Sequence, residues 1–185
     1  MKYKAVIFDL DGTLVNSLQD LADSVNAVLA GYGYPVHPLE AYRIMVGNGI
    51  QKLIERALPA QSSETIAEKA LEKFKKIYAI HQLDKTVPYE GMADLLGQLK
   101  QKHIPLAVCT NKHDEAAKEI IGTLFAEHTF TEIIGDLPGL PRKPDPKKVL
   151  MIAQNLSIKP AEIVYIGDSS VDMQTAVRAG MLPVG

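Results

Sequence analysis

Asp9 and Asp11 are the residues of this chain best placed to do chemistry. They stand one residue apart at the end of a short apolar run, Ala5-Val6-Ile7-Phe8, and Gly12 follows at once. A continuous apolar run with β-branched residues reads as a strand buried on both faces of a parallel sheet. Ligands of open α/β sheets bind just beyond the carboxyl ends of such strands, which is where this pair falls. Alternate residues of an extended chain share a side, so the two carboxylates face one way and Leu10 the other. Like charges this close require a cation or a shared proton. Mg²⁺ suits them, since it is held by one or two carboxylates together with substrate phosphate and water. By itself Asp-Leu-Asp-Gly is also a good solvated turn, so the rest of the chain has to decide.

The elements that must position such a pair follow in order. From Ser17 to about Leu29 the residues Leu18, Leu21, Val25 and Leu29 share a helical face, with Asn16 or Ser17 as N-cap. Gly31-Tyr32-Gly33-Tyr34-Pro35 stops that helix. Shorter helices are predicted from Pro38 to Met45 and from Ile50 to Leu58, separated by Val46-Gly47-Asn48-Gly49, and a long one from Glu64 to His81 capped by Ser62 or Ser63. No strand is predicted from Asn16 to Lys85. After Pro88 the pattern changes to alternation. Met92, Leu95, Leu96 and Leu99 give a helix face, then come a strand from Ile104 to Cys109 ending in Thr110-Asn111, a helix from Asp114 to Phe125 and a strand from Phe130 to Ile134. A loop with Arg142-Lys143-Pro144-Asp145-Pro146 leads to a helix over Lys147–Leu156 and a strand over Ile163–Ile166. Beyond it Gly167-Asp168-Ser169-Ser170-Val171-Asp172 opens a helix that closes at Gly180, a C′ glycine. Alternation of this kind makes the fold α/β, a doubly wound parallel sheet with a helical insert after its first strand.

Composition sets the bounds. The chain has 185 residues, 46% hydrophobic and 23% charged, with a net charge of −2 and no block of like charge. That suits one core carrying a small insert, and neither nucleic acid nor a membrane is expected as a partner. No signal peptide is read from the N-terminus, which opens directly with a strand. Cys109 is the single cysteine, which fits a reducing cytoplasm, and it is predicted as a buried strand residue. Leu182-Pro183-Val184 starts a further strand just before Gly185, and a C-terminal continuation is expected there.

Polar residues thus gather at strand ends: Asp9 and Asp11, Thr110 and Asn111, Lys143, then Asp168 with Asp172. Each has a plainer reading. Thr110-Asn111 can be a helix-entry turn, Asp168 an N-cap and Lys143 a solvated lysine, and Lys112 competes with Lys143 for a phosphate role. Together, in this order, they resemble the four motifs of the haloacid dehalogenase (HAD) superfamily of phosphotransferases. Phe8-Asp-Leu-Asp-Gly-Thr-Leu-Val-Asn-Ser17, Val46-Gly-Asn-Gly-Ile50 and Glu55-Arg-Ala-Leu58 are most similar to its phosphoglycolate phosphatases.

The resemblance implies a HAD-like core over residues 1–15 and 86–185 and a helical cap over 16–85. It implies a phosphatase acting on a small phosphorylated metabolite, 2-phosphoglycolate or a similar ester. Asp9 is then the nucleophile that forms an aspartyl-phosphate, and Asp11 the acid that protonates the leaving alkoxide and later activates water. Thr110, Asn111 and Lys143 hold the phosphoryl oxygens. As the resemblance implies, Mg²⁺ is bound by Asp9, the backbone carbonyl of Asp11 and Asp168. Asp172 stands behind them, orienting Lys143 or a metal-bound water. In the cap, Gly47, Asn48 and Gly49 offer backbone N–H groups to a small anion and Arg43 a charge for a carboxylate. A carboxylate at Asp11 separates the chain from dehalogenase and phosphonatase relatives. A β-phosphoglucomutase-like transferase, a pyrophosphatase of the same superfamily and a phosphometabolite-binding sensor remain as alternatives, and the oligomeric state is left open.

Overall fold

Ala5–Phe8 (β1) is the middle strand of a five-stranded sheet, and each of its residues is buried. The computed structural model describes residues 2–46, 49–127 and 130–185. On one side β1 pairs in parallel with Leu106–His113 (β4), Val6 opposite Leu106, and β4 pairs with Glu132–Asp136 (β5). On the other side β1 pairs with Ile163–Ile166 (β6), Ala5 opposite Ile163, and β6 pairs with Leu182–Val184 (β7). The order β5-β4-β1-β6-β7 is therefore doubly wound, with the chain reversing direction across β1. Such a switch point is where an open α/β sheet leaves a crevice for a ligand.

The chain divides into two compact units, Met1–Val15 with Pro88–Gly185, and Asn16–Val87. The segments that join them, Val15–Asn16 (β2) and Val87–Pro88 (β3), form a separate two-stranded sheet. The first unit holds the five-stranded sheet and the helices Met92–Gln101 (α5), Asp114–Leu124 (α6), Lys147–Asn155 (α7) and Ser170–Ala179 (α8). Its core joins Ile7, Cys109 and Tyr165 of the sheet to Val149 and Ile152 of α7 and Ala176 of α8.

The second unit is helical: Leu18–Gly31 (α1), Leu39–Met45 (α2), Ile50–Ala57 (α3) and Glu64–His81 (α4). Its core is Val25, Leu29, Tyr42, Ile54, Phe74 and Tyr78. Asp20 is buried at the start of α1, where it accepts from the backbone N–H groups of Lys85 and Thr86 and from the Thr86 hydroxyl. That fastens the exit of the helical unit to its entrance. No described helix is long and apolar enough to cross a membrane.

Several boundaries differ from those expected. The strand expected over Ile104–Cys109 is instead Leu106–His113, so Thr110 and Asn111 lie within it and not beyond its end. Their polarity suggested a loop, but the backbone stays extended through a register shift between Cys109 and His113, and His113 pairs with Asp136. The next strand runs over Glu132–Asp136, later than the expected Phe130–Ile134. On α5 only Leu96 of the predicted face is fully buried, and Leu95 is exposed.

Candidate active site

Asp9 follows β1 directly, and its N–H donates to the Ile166 carbonyl at 2.8 Å, so the parallel ladder carries it to the sheet's central edge. Only 8% of the residue is exposed. The chain then turns sharply. The Leu10 carbonyl accepts from the N–H groups of Thr13, Leu14 and Val15, and the Leu10 side chain is buried, turned away as alternation requires. Gly12 has φ +88°, and a Cβ there would stand 2.4 Å from Asp168 Oδ2. Only glycine fits both that backbone and that approach. Thr13 Oγ1 donates to Asp168 Oδ1 at 3.1 Å, which ties Asp168 to the turn after the first strand.

Asp168 lies between β6 and α8 and is exposed. It is not the cap of α8. Ser169 fills that place in a capping box with Asp172, which accepts from Ser169 N and Oγ at 3.0 and 2.5 Å. Asp172 is completely buried, and its second oxygen accepts from Lys143 Nζ at 2.6 Å. Gly167 makes room for it, since a Cβ there would meet Asp172 Cβ at 2.4 Å.

Lys143 Nζ stands 2.8 Å from Asp9 Oδ1 and 2.6 Å from Asp172 Oδ1. Burial opposes a charged ammonium, but the two carboxylates outweigh it and raise the Lys143 pKa. The Asp9 contact is an ion pair by distance without hydrogen-bond alignment, so Asp9 Oδ1 is buried with no hydrogen-bond donor. Burial raises the Asp9 pKa to about 6, against the pull of Lys143. For Asp172 burial again works upward, but Lys143 and Ser169 hold its carboxyl below the usual range.

Thr110 and Asn111 arrive on β4 and do different things. The Thr110 hydroxyl accepts from Lys112 N at 3.2 Å, which leaves its hydrogen as a donor. The Asn111 amide bonds the Lys143 backbone at both ends: its Oδ1 accepts from Lys143 N at 2.8 Å and its Nδ2 donates to Lys143 O at 3.1 Å. It clamps the loop that carries Lys143. Lys112 and Lys143 meet different acids, and Lys112 Nζ pairs with both oxygens of Asp11 at 3.0 and 3.2 Å.

The donor set fits a hard cation. Carboxylate oxygens of Asp9, Asp168 and Asp172 lie within 4.8 Å of one another, with Asp9 Oδ1 lacking a donor. Both Asp172 oxygens are already engaged, which leaves Asp9, with its donor-less Oδ1, and Asp168, whose Oδ1 accepts from Thr13 Oγ1, as the members best able to take a cation. The Asp11 carboxylate is outside this cluster.

Two buried groups escaped the sequence reading. The Tyr165 hydroxyl accepts from Lys143 Nζ at 3.1 Å and lies 3.0 Å from the Cys109 carbonyl and 3.2 Å from Asp172 Oδ1, which compete for its proton. It is the one hydroxyl in Ile163-Val164-Tyr165-Ile166, and a buried phenol needs a polar partner, which was the available signal. Lys148 of α7 is 1% exposed, and its Nζ donates to the carbonyls of Thr110 at 2.8 Å and Gly135 at 3.1 Å. Burial lowers its pKa.

The residues predicted to recognise substrate belong to the helical unit. Arg43 is exposed on α2, and Gly49 precedes α3 with φ 88°. Gly47 and Asn48 lie outside the described residues.

Comparison with known proteins agrees with this geometry. Residues 6–185 match the family model described as haloacid dehalogenase-like hydrolase. A phosphoglycolate phosphatase of Pseudomonas putida is 38% identical over 98% of this chain and 68% of its own. One from Chromobacterium violaceum is 37% identical over 96% of this chain and 82% of its own. The crystal structure of a predicted phosphoglycolate phosphatase from Haemophilus somnus superposes with a TM-score of 0.92 at 30% identity, over 100% of this chain and 85% of that one. A central strand that ends at a buried carboxylate, a buried lysine between two acids and a match over nearly the whole length agree, and the chain belongs to the haloacid dehalogenase-like hydrolases.

Proposed function

We propose that this chain is a Mg²⁺-dependent phosphomonoester hydrolase that works through an aspartyl-phosphate on Asp9. The observation that carries the reading is Asp9 itself, a buried carboxylate at the end of the central strand with Oδ1 unbonded and an ammonium 2.8 Å away. A nucleophile for phosphorus needs a free oxygen and a neighbouring cation to receive the charge of the phosphoryl group.

In the first step an Asp9 oxygen attacks phosphorus and the ester P–O bond breaks. Asp11 gives its proton to the departing alkoxide, and the alcohol leaves. In the second step Asp11, now a carboxylate, takes a proton from water as the water oxygen attacks phosphorus. The bond between phosphorus and Asp9 breaks, inorganic phosphate leaves, and both acids return to their starting states. Lys143 and the Thr110 hydroxyl hold the non-bridging oxygens, and Asp172 with Tyr165 holds Lys143. Asp9, Asp168 and the Asp11 backbone carbonyl would hold Mg²⁺, which would supply further neutralisation of the phosphoryl charge.

The substrate we assign is 2-phosphoglycolate or a similarly small phosphate ester, following the names of the relatives at 38% and 37% identity. Its selection is assigned to the helical unit over residues 16–85, through Arg43 and the stretch Gly47-Asn48-Gly49. A single buried cysteine suits a cytoplasmic setting. The test is phosphate release from a panel of small phosphomonoesters, pyrophosphate and β-glucose 1-phosphate, with Mg²⁺ and with EDTA. Hydrolysis of phosphoglycolate lost in Asp9→Asn supports the reading. Binding without turnover points to a sensor, and isomerisation of the sugar phosphate to a mutase.

A further inference from the structure

Lys112 and Lys143 are both buried, yet each serves a different acid. Lys143 stands between Asp9 and Asp172, whereas Lys112 Nζ lies 3.0 and 3.2 Å from the two oxygens of Asp11. The Lys112 side chain is 3% exposed and that of Asp11 is 22% exposed. A lysine is rarely this buried without a fixed task. It arrives there because β4 continues past Thr110 through the register shift between Cys109 and His113. Its backbone N–H donates to Thr110 Oγ1 at 3.2 Å, so one residue bonds both to the group read as holding phosphate and to the group read as moving the proton.

We infer that Lys112 is a positioning residue for Asp11, fixing the direction of the carboxyl that protonates the leaving alkoxide. The inference rests on the reading of Asp11 as proton donor given above. A half-buried carboxyl group on a turn can rotate about its side-chain torsions. An ammonium equidistant from both oxygens removes that freedom and keeps the carboxyl aimed. Transfer of a proton within one encounter demands such aim, since the donor must lie within hydrogen-bond reach of the departing oxygen. The charge of Lys112 is spent on Asp11 and not on the phosphoryl group, which separates its contribution from that of Lys143.

The experiment compares Lys112→Met, Lys112→Arg, Asp11→Asn and the double variant Asp11→Asn/Lys112→Met on 2-phosphoglycolate and on p-nitrophenyl phosphate, whose leaving group needs little protonation. Lys112→Met is expected to lower kcat on the alkyl ester by roughly 10- to 100-fold and on the aryl ester by less than about threefold, as displacement of a proton donor would. Lys112→Arg should recover part of the alkyl activity, and the double variant should be no slower than Asp11→Asn. Equal losses on both esters, or a double variant slower by the product of the single losses, would overturn the inference. Should Lys112→Met fail to fold by circular dichroism, Lys112→Arg decides: an altered cation must still give the leaving-group-dependent loss, and uniform activity overturns the proposal. If Asp11→Asn itself shows no dependence on the leaving group, it is the reading of Asp11 that fails.

Discussion

Asp9 and Lys143 form a buried ion pair in which the carboxylate oxygen 2.8 Å from the ammonium, Oδ1, takes no hydrogen bond. The pair is electrostatically close yet directionally loose. Lys143 directs its hydrogen bonds to Asp172 and Tyr165 and leaves Asp9 with charge compensation alone. A carboxylate held in this way keeps its lone pairs for another atom.

The first prediction concerns Asp9 and pH. Its pKa rises from the ordinary 3.8 to about 6 on folding, so the folded state favours the protonated form. For metal-free protein the contribution of Asp9 is therefore harmless below about pH 4, becomes destabilising as the pH climbs between these values and stays so above about 6. Asp9→Asn should abolish turnover and raise the melting temperature of EDTA-treated protein at pH 7, by roughly 2–4 °C for each kcal/mol relieved. The difference should disappear near pH 4. A melting temperature below that of the parent at pH 7 would show that Asp9 is not a site of strain.

Metal removal is the second. EDTA should reduce phosphate release to background, Mg²⁺ should restore it and Ca²⁺ should do so poorly, because its longer and more variable coordination does not suit a compact carboxylate pair. Full activity in chelated protein would remove the cation from the reaction.

Gly12 supplies the third. A side chain at φ +88° and 2.4 Å from Asp168 Oδ2 must displace Asp168, which is also held by Thr13. Gly12→Ala should cost about 1–3 kcal/mol of stability and weaken Mg²⁺ activation more than it weakens the fold. Titration of activity with Mg²⁺ measures the first effect and thermal melting the second. An unchanged Mg²⁺ midpoint would place Asp168 outside the metal site.

The fourth separates two roles for Asn111. Both ends of its amide bond the backbone of Lys143, at 2.8 and 3.1 Å. Asn111→Ala should lower kcat by loosening Lys143 while leaving inhibition by inorganic phosphate weakened no more than Lys143→Met does, and it should cost about 1–3 kcal/mol. If phosphate affinity falls further than in Lys143→Met, Asn111 touches the anion directly.

The fifth addresses recognition in the helical unit. Arg43→Gln should raise KM for phosphoglycolate and leave KM for p-nitrophenyl phosphate unchanged, since only the former carries a carboxylate. A parallel change on both would assign Arg43 to the solvated surface of α2.

The central strand and its carboxylate were legible because an apolar run ending in Asp-Leu-Asp-Gly breaks its own pattern so abruptly. The long helix Glu64–His81 was legible for the same kind of reason, with Ser63 accepting from Ile66 N at its start. What stayed hidden depends on contacts distant in sequence. Tyr165 sits on a face of β6 that an aliphatic residue would fill equally well, and nothing local shows that its hydroxyl meets Lys143. Lys148 adjoins Lys147, and adjacent lysines at a helix start read as solvated, although only Lys147 is exposed. The bond of Asn111 to the Lys143 backbone was equally hidden, because that partner lies 32 residues away. Side-chain identity marks where chemistry gathers, whereas the division of labour within it is set by tertiary hydrogen bonds.

The ammonium of Lys148 spans two carbonyls, one from β4 and one from β5, at the point where their pairing shifts register. It acts as a cross-brace where the ladder is interrupted, and its amine is inaccessible while that brace holds. Amine-reactive reagents will therefore modify Lys147 at once and Lys148 only when the edge of the sheet opens. The ratio of the two labelling rates is a clock for the breathing of the strand that bears Thr110, readable without substrate, metal or turnover.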